Sequence, residues 1–252
     1  MFTHAITRLP GRGRGTRSTA AGTDPPDFDL LLEQHAAYVE ALRSAGLEVL
    51  VLDALEEFPD AHFVEDAAVI LREMAVLTRL GASARRGEED ALARILSRFR
   101  TVERIGAPGT LDGSDVLAVD GHFFIGISER TNLEGAMELT RILETCGHAW
   151  GLVSVEKGLH LKSSVNHLGG RTLLVSPEYA DHEAFRSYER IVVDPEERGA
   201  CNILWVNDFL FMHPGFPRTR ARLGRLGLPI LEVDVSEARK MGGGLTCMSL
   251  RF

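Results

Sequence analysis

Five residues of unlike chemistry recur along the chain at nearly even intervals: Asp66, Asp112, His160, Asn202 and Cys247, separated by 46, 48, 42 and 45 residues. A thiol within reach of an imidazole is the elementary pair for nucleophilic catalysis. The thiolate is the reactive form, and free cysteine titrates near ~8.5, so a site must stabilise the anion or supply a base. Carboxylates disfavour that anion, and Asp66 and Asp112 bring two of them. A substrate carrying a permanent positive charge removes the conflict. Guanidinium keeps its proton beyond pH ~12 and presents a planar fork that matches carboxylates. These residue types suggest Asp66 and Asp112 holding a guanidinium by its edges while Cys247 attacks its central carbon. Each member also has a plainer reading. A buried cysteine is more often inert, a histidine flanked by Leu159 and Leu161 more often fills a core, and Asp and Asn favour turns. Turn preference, however, accounts for neither His160 nor Cys247.

A near-constant period implies a repeated structural unit. Short β-branched or aromatic runs come in pairs joined by turn residues. They are 67–71 with 75–79, 115–119 with 122–127, 165–168 with 172–176, and 203–206 with 209–212. Helical apolar spacing follows each pair, at 87–99, 132–146, a weaker 180–188, and 217–226, with Gly147 and Gly227 placed as stops. One more strand follows each helix, at 102–105, 151–155, 191–193 and 230–233. A fifth copy is assembled from both ends: strand 248–252, strand 2–9, helix 28–44 and strand 47–52. The prediction is an α/β fold of five pseudo-symmetric ββαβ units, a five-bladed α/β-propeller. Pairing of the N- and C-terminal strands closes the ring and removes its sheet edge. Equivalent positions in such a ring converge on its axis.

Composition bounds what else the chain can be. Its 252 residues, 44% hydrophobic and 25% charged, can bury a full core without staples. One catalytic domain over 1–252 is therefore expected. A net charge of −8 argues against a nucleic-acid partner, which a basic domain would favour. Cys146, Cys201 and Cys247 are scattered without a CxxC pair, which argues against a disulfide framework or a thiolate metal site and fits a reducing cytoplasm. No apolar run approaches the ~18 residues of a membrane span. Neither a metal nor an organic cofactor is expected, and nothing argues against a homo-oligomer. The segment 11–26, with four glycines and three arginines, reads as a mobile loop.

The stretches Phe63-Val64-Glu65-Asp66, Ser83-Ala84-Arg85-Arg86-Gly87-Glu88, Thr110-Leu111-Asp112-Gly113-Ser114-Asp115, Glu129-Arg130-Thr131-Asn132, Leu159-His160-Leu161-Lys162 and Leu245-Thr246-Cys247-Met248-Ser249 resemble dimethylarginine dimethylaminohydrolases in order and over the whole chain. That family belongs to the guanidino-group-modifying superfamily with the five-bladed α/β-propeller fold. The resemblance implies hydrolysis of Nω-methylated arginine to citrulline and a methylamine, through a covalent thiouronium on Cys247. It implies His160 as general acid and base and Asp112 as the acid that orients and charges the site, where some members have Glu. Asp66 matches the carboxylate that binds the guanidinium. Asp60, Phe63 and Glu65 match the group around the substrate stem and α-amino end. Arg85 and Arg130 match a clamp on the α-carboxylate, a role suited to bidentate pairing. Met241 lies where a main-chain carbonyl meets the α-amino group, and the loop at 11–26 matches a lid. An arginine deiminase, an amidinotransferase or a non-catalytic binding protein on the same ring are the alternatives. Deiminases usually carry an added helical domain for which 252 residues leave no room.

Overall fold

The structure, a computed structural model, describes residues 1–13 and 24–252. The centre of the expected lid, 14–23, lies outside the described residues. Strand β1 (His4–Arg8) leads to helix α1 (Phe28–Ser44) and strand β2 (Glu48–Leu52). Asp27 caps α1 by accepting from the amides of Asp29 and Leu30, and Gly46, at φ +88°, turns the chain out of it. The buried face of α1 is Leu31, Gln34, His35, Tyr38, Val39 and Leu42, the three-and-four spacing of an amphipathic helix.

Four further blades repeat this plan. The second holds β3 (Ala68–Ile70), β4 (Met74–Leu77), α2 (Asp90–Leu96) and β5 (Thr101–Arg104). The third holds β6 (Val116–Val119), β7 (His122–Ile127), α3 (Leu133–Thr145) and β8 (Ala149–Ser154). Its hairpin turns on Asp120 and Gly121, both at positive φ, as a two-residue connection requires. The fourth holds β9 (Val165–His167), β10 (Thr172–Val175) and β11 (Glu189–Val192), and the fifth β12 (Leu204–Val206), β13 (Phe209–Met212), α4 (Pro217–Leu223) and β14 (Ile230–Glu232). A short helix α5 (Ser236–Lys240) and strand β15 (Leu250–Arg251) complete the described elements.

Each blade is a three-stranded sheet whose first pair is antiparallel and whose second is parallel. The first blade takes its inner strand from the far end of the sequence. β15 pairs antiparallel with β1, Ala5 opposite Arg251 and Ile6 opposite Leu250, and β1 pairs parallel with β2. The two ends of the chain thus pair in one blade, as the sequence predicts. Inner strands β15, β3, β6, β9 and β12 surround the axis, with β15 against β3, β6 against β9, and β9 against β12. Apolar residues gather in five clusters, each helix or turn packing its sheet against a neighbour. No helix among the described residues is long and apolar enough to cross a membrane.

The fourth blade corrects one expectation. The segment 180–188 forms no α-helix; two 3-10 turns, Pro177–Tyr179 and Glu183–Phe185, make the crossover. His182 between them is extended at φ −65° and ψ 132°, and its side chain accepts from the Ala184 amide, a local bond that competes with helix. Tyr179 and Phe185 fill the groove that helical side chains fill elsewhere.

Tyr38 of α1 reaches the segment that carries Cys247. Its hydroxyl is fully buried, donates to the Leu245 carbonyl at 2.8 Å and lies 2.6 Å from Ser249 Oγ. Tyr38→Phe removes this anchor and leaves partners unmet. It should destabilise the fold by about 1–3 kcal/mol, read as a lower urea midpoint with an unchanged slope.

Candidate active site

The entrances to the inner strands bring their side chains to one end of the axis. Asp112 Oδ2 lies 2.9 Å from His160 Nε2, and both residues are buried. The other oxygen of Asp112 accepts from the Gly81 amide at 2.9 Å, while the Asp112 amide donates to Thr131 Oγ1 at 3.1 Å. Gly81 is obligatory here, since a Cβ would stand 2.2 Å from the Arg130 carbonyl oxygen. A second buried carboxylate, Asp115, locks the third blade to the next. It accepts from Ser128 Oγ and Thr131 Oγ1 at 2.7 Å each and from the Leu161 amide at 2.9 Å. Thus one residue fixes both the loop bearing Arg130 and the turn that follows His160.

Cys247 is 7% exposed at the base of the same pocket. Asn202, the fifth axial residue, binds Thr246 through both its amide oxygen and its amide nitrogen, and so braces the segment of Cys247 from the side. Burial, with Asp66 and Glu65 adding, pushes the Cys247 thiol up to about 12; Lys162 works against this. Burial opposes the charge on His160, but Asp66, Asp112 and Asp115 outweigh it and raise the imidazole to about 9. Burial likewise opposes the charge on Asp66, yet His160 and Arg85 hold its carboxyl at about 2. At neutral pH the site therefore holds a neutral thiol, an imidazolium and an ionised Asp66.

Asp60, Phe63, Asp66, Arg85 and Arg130 line this pocket together with Asp112, His160, Met241 and Cys247. Nine of the ten residues named from the sequence therefore meet there. Glu65 does not line it. Its Oε1 accepts from Lys162 Nζ at 2.8 Å and Arg251 Nη2 at 2.7 Å, and its Oε2 from Ser114 Oγ at 3.3 Å. Glu65 borders a separate cavity of about 190 Å³ along the inner strands. The cause is local: Glu65 and Asp66 are consecutive in the 3-10 turn Val64–Ala67, so their side chains diverge. Gly113 packs on that turn, and a Cβ there would come within 2.0 Å of the Glu65 carbonyl oxygen. Arg130 makes no side-chain hydrogen bond or ion pair among the described residues and is one of the residues lining the pocket. Arg85 lines it too, but its fork is turned onto Glu88 and Asp66.

Several contributors escaped sequence reasoning. Helix α5 is joined to α1 by Gln34, which donates to Ser236 Oγ and accepts from the Glu237 amide. It delivers Met241, Gly242 and Gly243 to the pocket, and the three consecutive glycines 242–244 were its one visible signal. One atom of the site stands out. Among the described residues the buried Asp66 Oδ1 has no partner at hydrogen-bonding geometry, although the Ser114 hydroxyl is near enough to help lower the Asp66 pKa, whereas Oδ2 accepts from Arg85 Nη1 at 2.6 Å. Buried acceptors are rarely left unmet. Single ligand atoms of Asp66, Asp112 and His160 lie within 4.8 Å of one another, a spacing that could also hold a cation.

A thiol, an imidazolium and buried carboxylates on the axis of a five-bladed α/β-propeller define a nucleophilic-cysteine enzyme of this fold. The family profile described as "N,N dimethylarginine dimethylhydrolase, eukaryotic" matches residues 28–204. The chain is 42% identical, over all of both chains, to the N(G),N(G)-dimethylarginine dimethylaminohydrolase of Pseudomonas aeruginosa. It is 39% identical to that of Streptomyces coelicolor over 90% of this chain and 87% of the other. The chain belongs to the dimethylarginine dimethylaminohydrolase family. Two crystal structures of such enzymes match at TM-score 0.97 and 42% identity over the whole of each chain. One is a histidine-to-glycine variant as its adduct with S-methyl-L-thiocitrulline; the other is a cysteine-to-serine variant of the Pseudomonas aeruginosa enzyme with citrulline. The N-terminal domain of the cyanobacterial arginine dihydrolase ArgZ shares the fold at TM-score 0.90 and 20% identity, over 100% of this chain and 97% of that one.

The raised His160 value sets the sign of a pH effect. The folded state binds this proton up to about pH 9, against an ordinary histidine value of 6.5. Its stabilisation is complete below about 6.5 and is lost as pH rises through about 9, on the order of 3 kcal/mol in all. Denaturant midpoints measured across this window should fall with pH in the parent protein, and fall less in His160→Gln.

Proposed function

We propose that this protein hydrolyses Nω-methylated arginine, asymmetric dimethylarginine and monomethylarginine, to citrulline and the corresponding methylamine. The observation that carries the assignment of roles is the buried Asp66 Oδ1, an acceptor without a donor among the described residues, in the same pocket as Cys247 and the His160–Asp112 pair. A guanidinium N–H is the donor it lacks. Arg130 offers its fork to the substrate α-carboxylate, and Asp60, Phe63 and the Met241 main chain surround the stem and α-amino end.

The protonation states suit this chemistry without a neighbouring base. The guanidinium arrives as a fixed positive charge beside a neutral thiol. At ~4 Å and an effective dielectric near ~20, that attraction is worth about 4 kcal/mol, enough to lower the thiol pKa by more than ~2 units. Cys247 loses its proton to solvent and its sulfur bonds to the guanidinium carbon. The tetrahedral adduct collapses as the imidazolium of His160 gives its proton to the departing alkylamine, leaving a thiouronium cation on Cys247. His160, now neutral, takes a proton from water as the hydroxyl attacks the same carbon; the C–S bond then breaks and citrulline leaves. Asp66 stays ionised, and with Asp112 it stabilises the cationic carbon throughout.

Citrulline formation from dimethylarginine, monomethylarginine, arginine and agmatine tests the reading. Both methylarginines should be turned over. Agmatine, which lacks the carboxylate for Arg130, should be poor by at least about a hundredfold. Cys247→Ser and His160→Gly should abolish turnover with the fold intact, and His160→Gly should still form the covalent adduct slowly. Ammonia from arginine as the dominant product would make the protein a deiminase instead.

Activation by the substrate's own charge has a separate test. Titrated by thiolate absorbance in the free protein, Cys247 should show an apparent pKa well above neutrality. A value below about 7 would mean that His160 activates the thiol beforehand.

A further inference from the structure

Arg85 presents five N–H groups, and the fold has already committed most of them. Nε and Nη2 donate to the two carboxylate oxygens of Glu88 at 2.9 and 2.8 Å, and Nη1 donates to Asp66 Oδ2 at 2.6 Å. Nη2 also reaches the carbonyl oxygens of Asp60 and Phe63 at 3.3 Å each. One Nη1 N–H is left for anything that enters the pocket. A fork held in this way cannot grip a substrate carboxylate with two parallel bonds, whereas Arg130 can. Besides whatever its free N–H meets in the pocket, Arg85 is a strut between two buried carboxylates. The residue at its far end, Glu88, is 3% exposed, does not line the pocket and has no part in the chemistry above.

We propose that Glu88 is a positioning residue: by holding the plane of the Arg85 guanidinium it keeps Asp66 Oδ2 bound and Oδ1 turned toward the substrate guanidinium. The proposal rests on reading Asp66 as the guanidinium-binding carboxylate. The charged groups facing Glu88 are Arg85 and Asp66 from the adjoining turns, Asp60 from the loop before them, and Arg8 at the end of β1. Burial pushes Glu88 up to about 7 against the pull of Arg85, and Asp66 and Asp60 add to the rise. Below that pH a proton on Glu88 removes the charge that orients the strut.

Glu88→Gln preserves size and removes the charge. In the full chain it should lower kcat/KM for dimethylarginine roughly tenfold to hundredfold, the range for one hydrogen bond to a charged group, with the larger share in KM. Wild-type KM should rise as pH falls below about 7, and that rise should vanish in the variant. Alkylation of Cys247 supplies a readout apart from turnover. Wild type should prefer a cationic haloacetamidine over the neutral haloacetamide, and Glu88→Gln should shrink that preference by a similar factor. Asp66→Asn is the reference. If it loses the preference while Glu88→Gln keeps it, Glu88 is merely structural and the proposal falls, with the Asp66 reading intact. If Asp66→Asn keeps the preference, both fall. Should Glu88→Gln not fold, Glu88→Asp replaces it, since the shorter side chain cannot span both Arg85 donors. Wild-type preference and KM in that variant would equally overturn the proposal.

Discussion

Negative charge buried on the axis of the ring is the constraint to which the rest of the molecule answers. Glu65, Asp66 and Asp112 are each at most 4% exposed, and an unpaired ion in such a place would cost several kcal/mol. Each is met by a cation, but the cations come from different parts of the ring. Lys162 and Arg251 share Glu65, Arg85 meets Asp66, and His160 meets Asp112. One acceptor is left over, on Asp66. The pocket is thus a charge balance that the described residues leave incomplete by one donor, beside a buried thiol whose pKa is pushed up by burial and by the carboxylates.

Holding that balance is the task of residues that never touch the reacting atoms. Asp115 ties the loop of Arg130 to the turn after His160; Asn202 and Tyr38 grip the segment around Cys247 from two further elements. Gly81 and Gly113 let one blade's backbone approach the next more closely than any side chain would permit. The electrostatics and the packing of adjacent blades are therefore one problem. A shift at a blade boundary moves a carboxylate relative to its cation.

Much of this was legible in the residues alone. The even spacing of Asp66, Asp112, His160, Asn202 and Cys247 carried the repeat, and the repeat carried the ring and the convergence of the axial side chains. Less legible was anything that depends on where a side chain turns within one turn of chain. Glu65 and Asp66 are neighbours in sequence, yet only Asp66 lines the pocket while Glu65 borders a second cavity, and no spacing argument separates them. Arg85 reads as part of a clamp, and nothing in its spacing shows that Glu88, three residues on, also takes two of its donors. The crossover at 180–188 has weak apolar periodicity, so local bonding by His182 decided its form. Helix α5 is too short to leave a periodic signal.

The pairing of β15 with β1 joins residues 250–251 to residues 5–6 across almost the whole sequence. Cys247 lies just ahead of that strand, so its thiol enters the pocket only as the two ends of the chain pair. During synthesis from the N-terminus, the carboxylates and His160 emerge long before the thiol that completes them. The contact of longest range in the fold is also the one that assembles the chemistry, and contacts of such range form late and slowly. Competence is therefore acquired in a single closing event, and a chain caught open presents an acidic axis with no reactive sulfur in it.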